Sequence, residues 1–142
     1  MSTSLVSPGR SRLHPLHAVL LAGMLPLFLG ALLSDVAYSR SYEIQWTNFA
    51  SWLIAGALVF CGLALLWALI DLLRVDRRGR RSWLYVSILL GTFLLGFVGA
   101  LIHAKDAWAS MPGGLIVSMI VALLAVAATW IGFSRVREGA AA

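Results

Sequence analysis

Three histidines and two aspartates are the side chains in this sequence whose type and spacing could hold a ligand or a proton. His14 and His17 are three residues apart, so a helix would present both imidazoles on one face. Asp71 is expected at the same end of a neighbouring antiparallel helix, and two imidazoles with one carboxylate are an adequate ligand set for a divalent metal. Asp35 and His103 are expected at the opposite end, as an ion pair or hydrogen bond, or as a proton-linked pair that titrates near neutral pH.

A haem group is the other cofactor that these histidines could hold. Helix rise alone separates His14 from His103 by about 25 Å, so one chain cannot place both on one iron. The remaining pairings join His14 or His17 to a second subunit, or His103 to Met111 or Met119, since histidine and methionine are a known axial pair. Haem and a divalent metal therefore stay open as cofactors.

Each of these residues also has a purely structural interpretation. His14 and His17 would lie in the headgroup zone, where they cap backbone groups or contact lipid phosphate. Asp71 would pair with Arg74, three residues further along the chain. The sequence contains no nucleophile–base arrangement, phosphate-binding glycine loop or CxxC pair, which argues against an enzyme.

The elements that must position these residues are membrane helices. Of the 142 residues, 61% are hydrophobic and 12% are charged, against roughly 45–50% and about 25% in soluble domains. Four apolar segments, at about 14–34, 49–71, 83–103 and 113–133, each have the length of about 20 residues that spans a bilayer. We predict an all-α integral membrane protein, an antiparallel four-helix bundle that forms a single domain over residues 1–142.

The basic residues predict the orientation of this bundle. Nine of the eleven lysines and arginines fall in the three regions that share one side of a four-span protein, and only Arg40 and Lys105 fall on the other. By the positive-inside rule both termini are cytoplasmic. The densest basic run, between spans two and three, is interpreted as a topology anchor: Arg74, Arg77, Arg78, Arg80 and Arg81. The net charge of +5 is therefore assigned to topology and lipid contact rather than to nucleic acid.

Two features of the spans bear on packing. Small residues recur four apart, which lets helices approach closely; the pairs are Ala57 with Cys61, Gly96 with Ala100, Ser118 with Ala122, and Ala128 with Gly132. Pro26 removes the donor to the carbonyl of Ala22, so this part of span one is expected to face neighbouring helices. A cleaved signal peptide over residues 10–34 is the rival to span one, although no good A-x-A site follows it.

Much of the chain resembles a known family. The segments "HPLHAVLLAGMLPLFLGALLSDVAY", "FASWLIAGALVFCGLALLWALIDLL" and "LIHAKDAWASMPGGLIVSMIVALLAVAATWIGF" are similar to bacterial membrane proteins catalogued as domain of unknown function 2231. The most specific elements are His14–Pro15, Asp35, "IDLL" with Asp71, the segment His103–Asp106 and the closing "TWIGF". The resemblance implies a small four-helix membrane protein of unassigned function, and its recurrent histidines suggest a haem or redox role.

Three classes of function stay open at this point. The first is a non-catalytic protein of the bacterial inner membrane that contacts the lipid bilayer and packs into a homo-oligomer or a larger membrane complex. The second is a haem- or metal-binding redox protein that uses histidines at the span ends. The third is a transport component, which is disfavoured because the spans place no acidic or basic residue near the membrane midplane.

Overall fold

The structure is a computed structural model that describes residues 14–74 and 79–141, with side chains up to residue 134. It contains the helices α1 (Pro15–Ser41), α2 (Ile44–Leu73), α3 (Arg80–His103), α4 (Ala107–Ser110) and α5 (Gly113–Ala141). Four of them, with α5 counted over Gly113–Ser134, are long and apolar enough to cross a membrane. The predicted all-α fold with four spans is therefore confirmed.

The first two spanning helices are longer than the hydropathy pattern predicts. The predicted polar connection from residue 34 to residue 49 is almost entirely helical, and only Tyr42 and Glu43 separate α1 from α2. Tyr42 ends α1 in the left-handed conformation, with φ of 56°, and its N–H donates to the carbonyl of Tyr38. Hydropathy marks where hydrocarbon ends, whereas a helix can continue into the headgroup zone. Asp35 consequently lies inside α1, nearly two turns before its end, and not at the end as predicted.

The four long helices form a closed ring in which each packs against two neighbours. α1 and α3 both contact α2 and α5, so α1 and α3 stand diagonally opposite each other. Because the chain reverses at each connection, these two helices run parallel. We call the end with the α2–α3 connection the arginine end, and the end with α4 the α4 end. At the α4 end the ring of Trp108 stacks on that of Tyr42, with centroids 5.6 Å apart.

A buried position recurs at alternating intervals of three and four residues along every long helix, the spacing typical of coiled-coil-like bundles. The two diagonal pairs differ in side-chain size. α2 and α5 present mainly small residues, among them Ala57, Ala64, Ala125 and Ala128. α1 and α3 present most of the large ones: Leu21, Met24, Phe28, Tyr38, Tyr85 and Leu89. Side chains of α1 and α3 therefore meet across the centre of the bundle.

The small-residue pairs identified in the sequence are used within the chain. Ala57 and Cys61 are fully buried, and the pairs in α5 face the interior as well. Gly132 shows how close the helices come, since a Cβ built there would lie 2.5 Å from Cδ1 of Leu21. Because these pairs pack helices of the same chain together, a second chain cannot pack against the same helix faces.

Within the single chain, the expectation that Pro26 faces a neighbouring helix is wrong. Pro26 lies inside α1, but both it and Ala22 are exposed on the outside of the bundle rather than turned towards a neighbouring helix. The buried stripe of α1 runs through Leu21, Met24 and Phe28 instead. In the described structure, no helix of the same chain covers this part of α1.

Candidate functional site

Asp35 and His103 meet across the diagonal of the bundle near its α4 end. Nε2 of His103 lies 2.7 Å from Oδ1 of Asp35, and the two side chains are 1% and 0% exposed. The hydroxyl of Ser118 donates to the second carboxylate oxygen, Oδ2. Three helices, α1, α3 and α5, therefore contribute one side chain each to a buried polar cluster, which we call the α4-end cluster.

The backbone around His103 fixes the orientation of its ring. Nδ1 lies 2.8 Å from the carbonyl oxygen of Gly99, one turn earlier in α3. Gly114 lets the start of α5 approach the other side of the ring, because a Cβ there would lie 3.2 Å from Cε1. The imidazole is held between a carbonyl, a carboxylate and a glycine surface, with both nitrogens engaged.

These contacts determine how many protons the cluster holds. A carbonyl only accepts, so Nδ1 must carry a proton and donate it to Gly99. A second proton must lie between Nε2 and Oδ1, because two bare acceptors would repel at 2.7 Å. The pair therefore contains one proton more than a neutral imidazole and a carboxylate together, and it is electrically neutral whichever atom carries that proton.

The cluster contains the residue types of a hydrolytic triad in a different arrangement. In such a triad the imidazole accepts the proton of the serine hydroxyl. Here Ser118 donates to Asp35, while Nε2 of His103 is occupied by the other carboxylate oxygen. This geometry suits holding a proton, and it directs the hydroxyl to a carboxylate instead of the imidazole that activates the serine of a triad.

A small cavity lies directly beneath the cluster. Its volume is about 10 Å³, room for about one water-sized sphere. Ala31, Gly96, Gly99 and Ser118 form part of its wall. Larger side chains, among them those of Phe28 and Val121, complete the wall.

The arginine end holds the other two histidines. Nε2 of His17 lies 2.8 Å from the hydroxyl of Tyr85, again between α1 and α3. His14 caps α1, since its Nδ1 accepts from the N–H of Leu16, and the centroid of its ring lies 4.8 Å from that of Trp67, with the two planes tilted by 37°. His14 thus takes the capping role that was one of its structural interpretations.

The predicted metal cluster of His14, His17 and Asp71 is not assembled. Within residues 14–74 and 79–134, no three histidine, cysteine, aspartate or glutamate side chains come together in a way that would hold a metal ion. Asp71 is partly exposed, and its Oδ1 lies 4.0 Å from Nη1 of Arg74, three residues further along the chain. Arg80 and Arg81 are exposed at the start of α3, and Arg77 and Arg78 lie outside the described residues.

The predicted haem ligands are also separated or occupied. His14 and His103 lie at opposite ends of the bundle, as helix rise predicts. Met119 faces outward, 50% exposed, while His103 faces the interior. Iron coordination by His103 would displace Gly99 or Asp35 from its ring. At His103 the geometry therefore fits a hydrogen-bonded histidine, while the pairing of His14 or His17 with a second subunit stays a prediction.

The His17–Tyr85 contact and the Asp35–His103 contact are separated by the same number of residues on both helices. His17 and Asp35 are 18 residues apart, and so are Tyr85 and His103. Eighteen residues make about five helical turns and about 27 Å, so both contacts fall on the same faces, near the thickness of hydrocarbon. Parallel α1 and α3 are thus joined at each end of the apolar core.

The sequence did not single out Ser118, Gly114 or Tyr85 as part of a site. In the sequence Ser118 stands out only as a small residue four positions before Ala122. The missing signal was the alternating three- and four-residue spacing, which places Gly114, Ser118 and Val121 on one face of α5. The same alternating spacing in α3 places Tyr85 and His103 on one face of that helix.

Comparison with known proteins agrees with this architecture. The model of a family described as "Predicted membrane protein (DUF2231)" matches residues 13–141. No curated protein matches the chain, and no solved structure matches it either.

Proposed function

Because the chain belongs to the DUF2231 family of predicted membrane proteins, we propose that it is a non-catalytic membrane component that packs against another membrane chain through the outer face of α1. The proposal rests mainly on Pro26. Its ring removes the donor for the carbonyl of Ala22, and both residues are exposed in the middle of a membrane span.

Hydrocarbon makes this arrangement costly for an isolated chain. An unsatisfied carbonyl costs several kcal/mol where no water can reach it. Ala22 and Pro26 lie on the same outer face of α1 as Val19 and Leu29, which are 59% and 37% exposed. A small residue at the contact, such as Ala22, lets a second helix approach closely and offer a donor. These features support a helix-docking surface on the outer face of α1.

The buried polar groups support the non-catalytic part of the proposal. Ser118, Asp35 and His103 are bonded to one another, and His17 is bonded to Tyr85. These contacts engage the groups with helices of the same chain, and they direct the hydroxyl of Ser118 to Asp35 instead of the imidazole. The redox alternative would need one nitrogen of His103 to leave its partner, either Gly99 or Asp35.

We also propose a single membrane domain over residues 1–142, in a bacterial inner membrane with both termini cytoplasmic. The asymmetry of the arginines supports this orientation. The arginine end would then face the cytoplasm, and the α4 end would face the outside.

Site-specific photo-crosslinking in membranes tests the docking face. Val19 on α1 and Val59 on α2 are matched positions, of the same residue type and 59% and 62% exposed. A photoreactive amino acid in place of Val19 is expected to crosslink to protein, while one in place of Val59 reacts with lipid. A product of twice the chain mass identifies a second copy, and any other mass identifies a different subunit.

Equal, lipid-only reaction at both positions would refute the docking face. A Pro26→Ala variant provides the second measurement, because it restores the missing N–H of α1. It is expected to weaken the crosslink at Val19, and an unchanged yield would show that the carbonyl of Ala22 does not attract the partner.

A further inference from the structure

We propose that Asp35, His103 and Ser118 form a binding site for one exchangeable proton, and that loss of this proton above neutral pH loosens the α4 end of the bundle. The inference does not depend on the docking face of α1, because it concerns the interior at one end of a single chain. It starts from the proton that the contact between Nε2 and Oδ1 requires.

Once that proton is removed, no arrangement of the remaining hydrogens gives every acceptor in the cluster a donor. Nδ1 still has to donate to Gly99, so Nε2 would present a lone pair to a carboxylate oxygen at 2.7 Å. Ser118 offers only one hydroxyl, which already serves Oδ2. A net negative charge would then be buried in a cluster that is almost fully shielded from solvent. Separation of α1 from α3 at this end would let water reach both groups.

Among the described residues packed around the cluster, no side chain besides Tyr38 carries an ionisable group. On α2, the buried residues at this end are Thr47, Ala50 and Ile54, none of which carries a charge. On α5 the facing residues are Gly114 and Ser118, and on α1 Tyr38 follows one turn after Asp35. The charged residues in the last turn of α1 and in the connections at this end are all exposed: Arg40, Glu43, Lys105 and Asp106.

Counting protons in the closed and open states gives the sign of the effect. In water a histidine releases its proton at about pH 6.5 and an aspartic acid at about pH 4. Between these values the open pair holds the same number of protons as the closed pair, so pH has no effect. Above about pH 6.5 the open pair holds one proton fewer, so opening becomes about tenfold more favourable per pH unit. Below about pH 4 it holds one more, which also favours opening.

The site also has space in which to change. The cavity beneath it has a volume of about 10 Å³, and its wall includes the small residues Ala31 and Gly99 together with the larger Phe28. Gly113 and Gly114 begin α5 on the other side. The pair therefore has space in which to shift, and its proton links helices α1 and α3 at this end.

The direct test follows the proton on His103 in the full-length protein in lipid nanodiscs. Nitrogen-15 NMR of labelled histidine, with the signals of His103 identified by a His103→Gln variant, reports its protonation from about pH 5 to about pH 10. Hydrogen exchange of residues 99–103 and 114–118 over the same range reports opening, after correction for the intrinsic pH dependence of exchange. We expect His103 to lose one proton, and the protection of these segments to fall about tenfold per unit above about pH 6.5.

Asp35→Asn is the decisive variant. An amide at this position can donate to Nε2 of a neutral His103 and accept from Ser118, so every partner is satisfied without an exchangeable proton. We expect its α4 end to stay closed with protection independent of pH. Tyr85→Phe, which removes the equivalent contact at the arginine end, is the matched control and should keep the pH response of the wild-type protein.

Two results would overturn the proposal. One is a wild-type His103 that shows no protonation change while exchange stays flat across the range. The other is an Asp35→Asn protein with the same pH response as the wild type. Should Asp35→Asn fail to fold, the wild-type titration decides alone. A failure of the crosslinking at Val19 would leave this inference untouched, since the two measurements concern different surfaces.

Discussion

At the scale of single residues, partners decide what each polar side chain does. Asp35 is an expensive residue to bury within a membrane, and it is accommodated because His103 and Ser118 occupy both of its oxygens. Ser34 is buried beside it to the same degree, 6% exposed like Ser118, but its hydroxyl donates to the carbonyl of Gly30 in its own helix. Two serines with equal burial are therefore expected to contribute unequally to the stability of the fold.

We predict that Ser118→Ala destabilises the protein by about 1–3 kcal/mol, because it leaves Oδ2 of a buried carboxylate without its donor. Ser34→Ala is the matched control and should change stability by less than about 0.5 kcal/mol, since the carbonyl of Gly30 remains in a helix. Unfolding of both variants in bicelles by a denaturing detergent measures the difference. Equal effects would show that Ser118 contributes nothing specific to the cluster.

At the scale of helices, side-chain size arranges the bundle. Small residues on α2 and α5 bring these helices close to the axis, and larger residues on α1 and α3 fill the space between them. The diagonal contacts follow from this division, since bulkier residues on α2 or α5 would separate α1 from α3. Gly132 sits where α5 passes both Leu21 and the hydroxyl of Tyr85.

Gly132→Ala is expected to destabilise the bundle by about 1–3 kcal/mol through overpacking, because its Cβ would lie 2.5 Å from a side chain that is fully buried. Gly91→Ala is the control on α3, where a Cβ would meet nothing within 4 Å. Alanine there should be neutral or stabilising by up to about 1 kcal/mol, as expected from helix propensity. The same unfolding assay distinguishes them, and a neutral Gly132→Ala would contradict the tight packing of α5.

At the scale of the whole molecule, two polar contacts bound one apolar core. Exposed tryptophans lie near both levels, with Trp83 and Trp130 towards the arginine end and Trp52 and Trp108 towards the α4 end. Indoles prefer the two interfaces of a bilayer. Histidine contacts and tryptophans thus mark the same two boundaries, which places the polar pairs at the margins of hydrocarbon and not at its centre.

Cysteine labelling of intact cells tests the proposed orientation. Ser41→Cys and Gly79→Cys, each in a Cys61→Ala background, place single thiols at exposed positions on the α4 end and the arginine end. A membrane-impermeant maleimide is expected to label position 41 in intact cells and position 79 only after permeabilisation. The reverse pattern would put the arginine end outside and disprove the orientation.

The sequence alone determined the membrane class, the number of spans and the separation of His14 from His103. These properties depend on apolar length and helix rise, which are local and additive along the chain. It also suggested Asp35 with His103, because spans one and three run in the same direction and end on the same side of the membrane. The length of α1 was wrong by seven residues, from residue 34 to Ser41, since polar residues can stay helical beyond the hydrocarbon.

Only the tertiary structure decided which faces meet and which partners each polar atom finds. The direction in which Ser118 donates, the use of both nitrogens of His103 and the outward position of Pro26 all depend on how the helices are rotated about their axes. In a chain this apolar, nearly every face looks hydrophobic, so hydropathy does not distinguish core from lipid. Rotation is set by packing volume and by the few buried polar groups, whose hydrogen bonds exist only once distant helices are side by side.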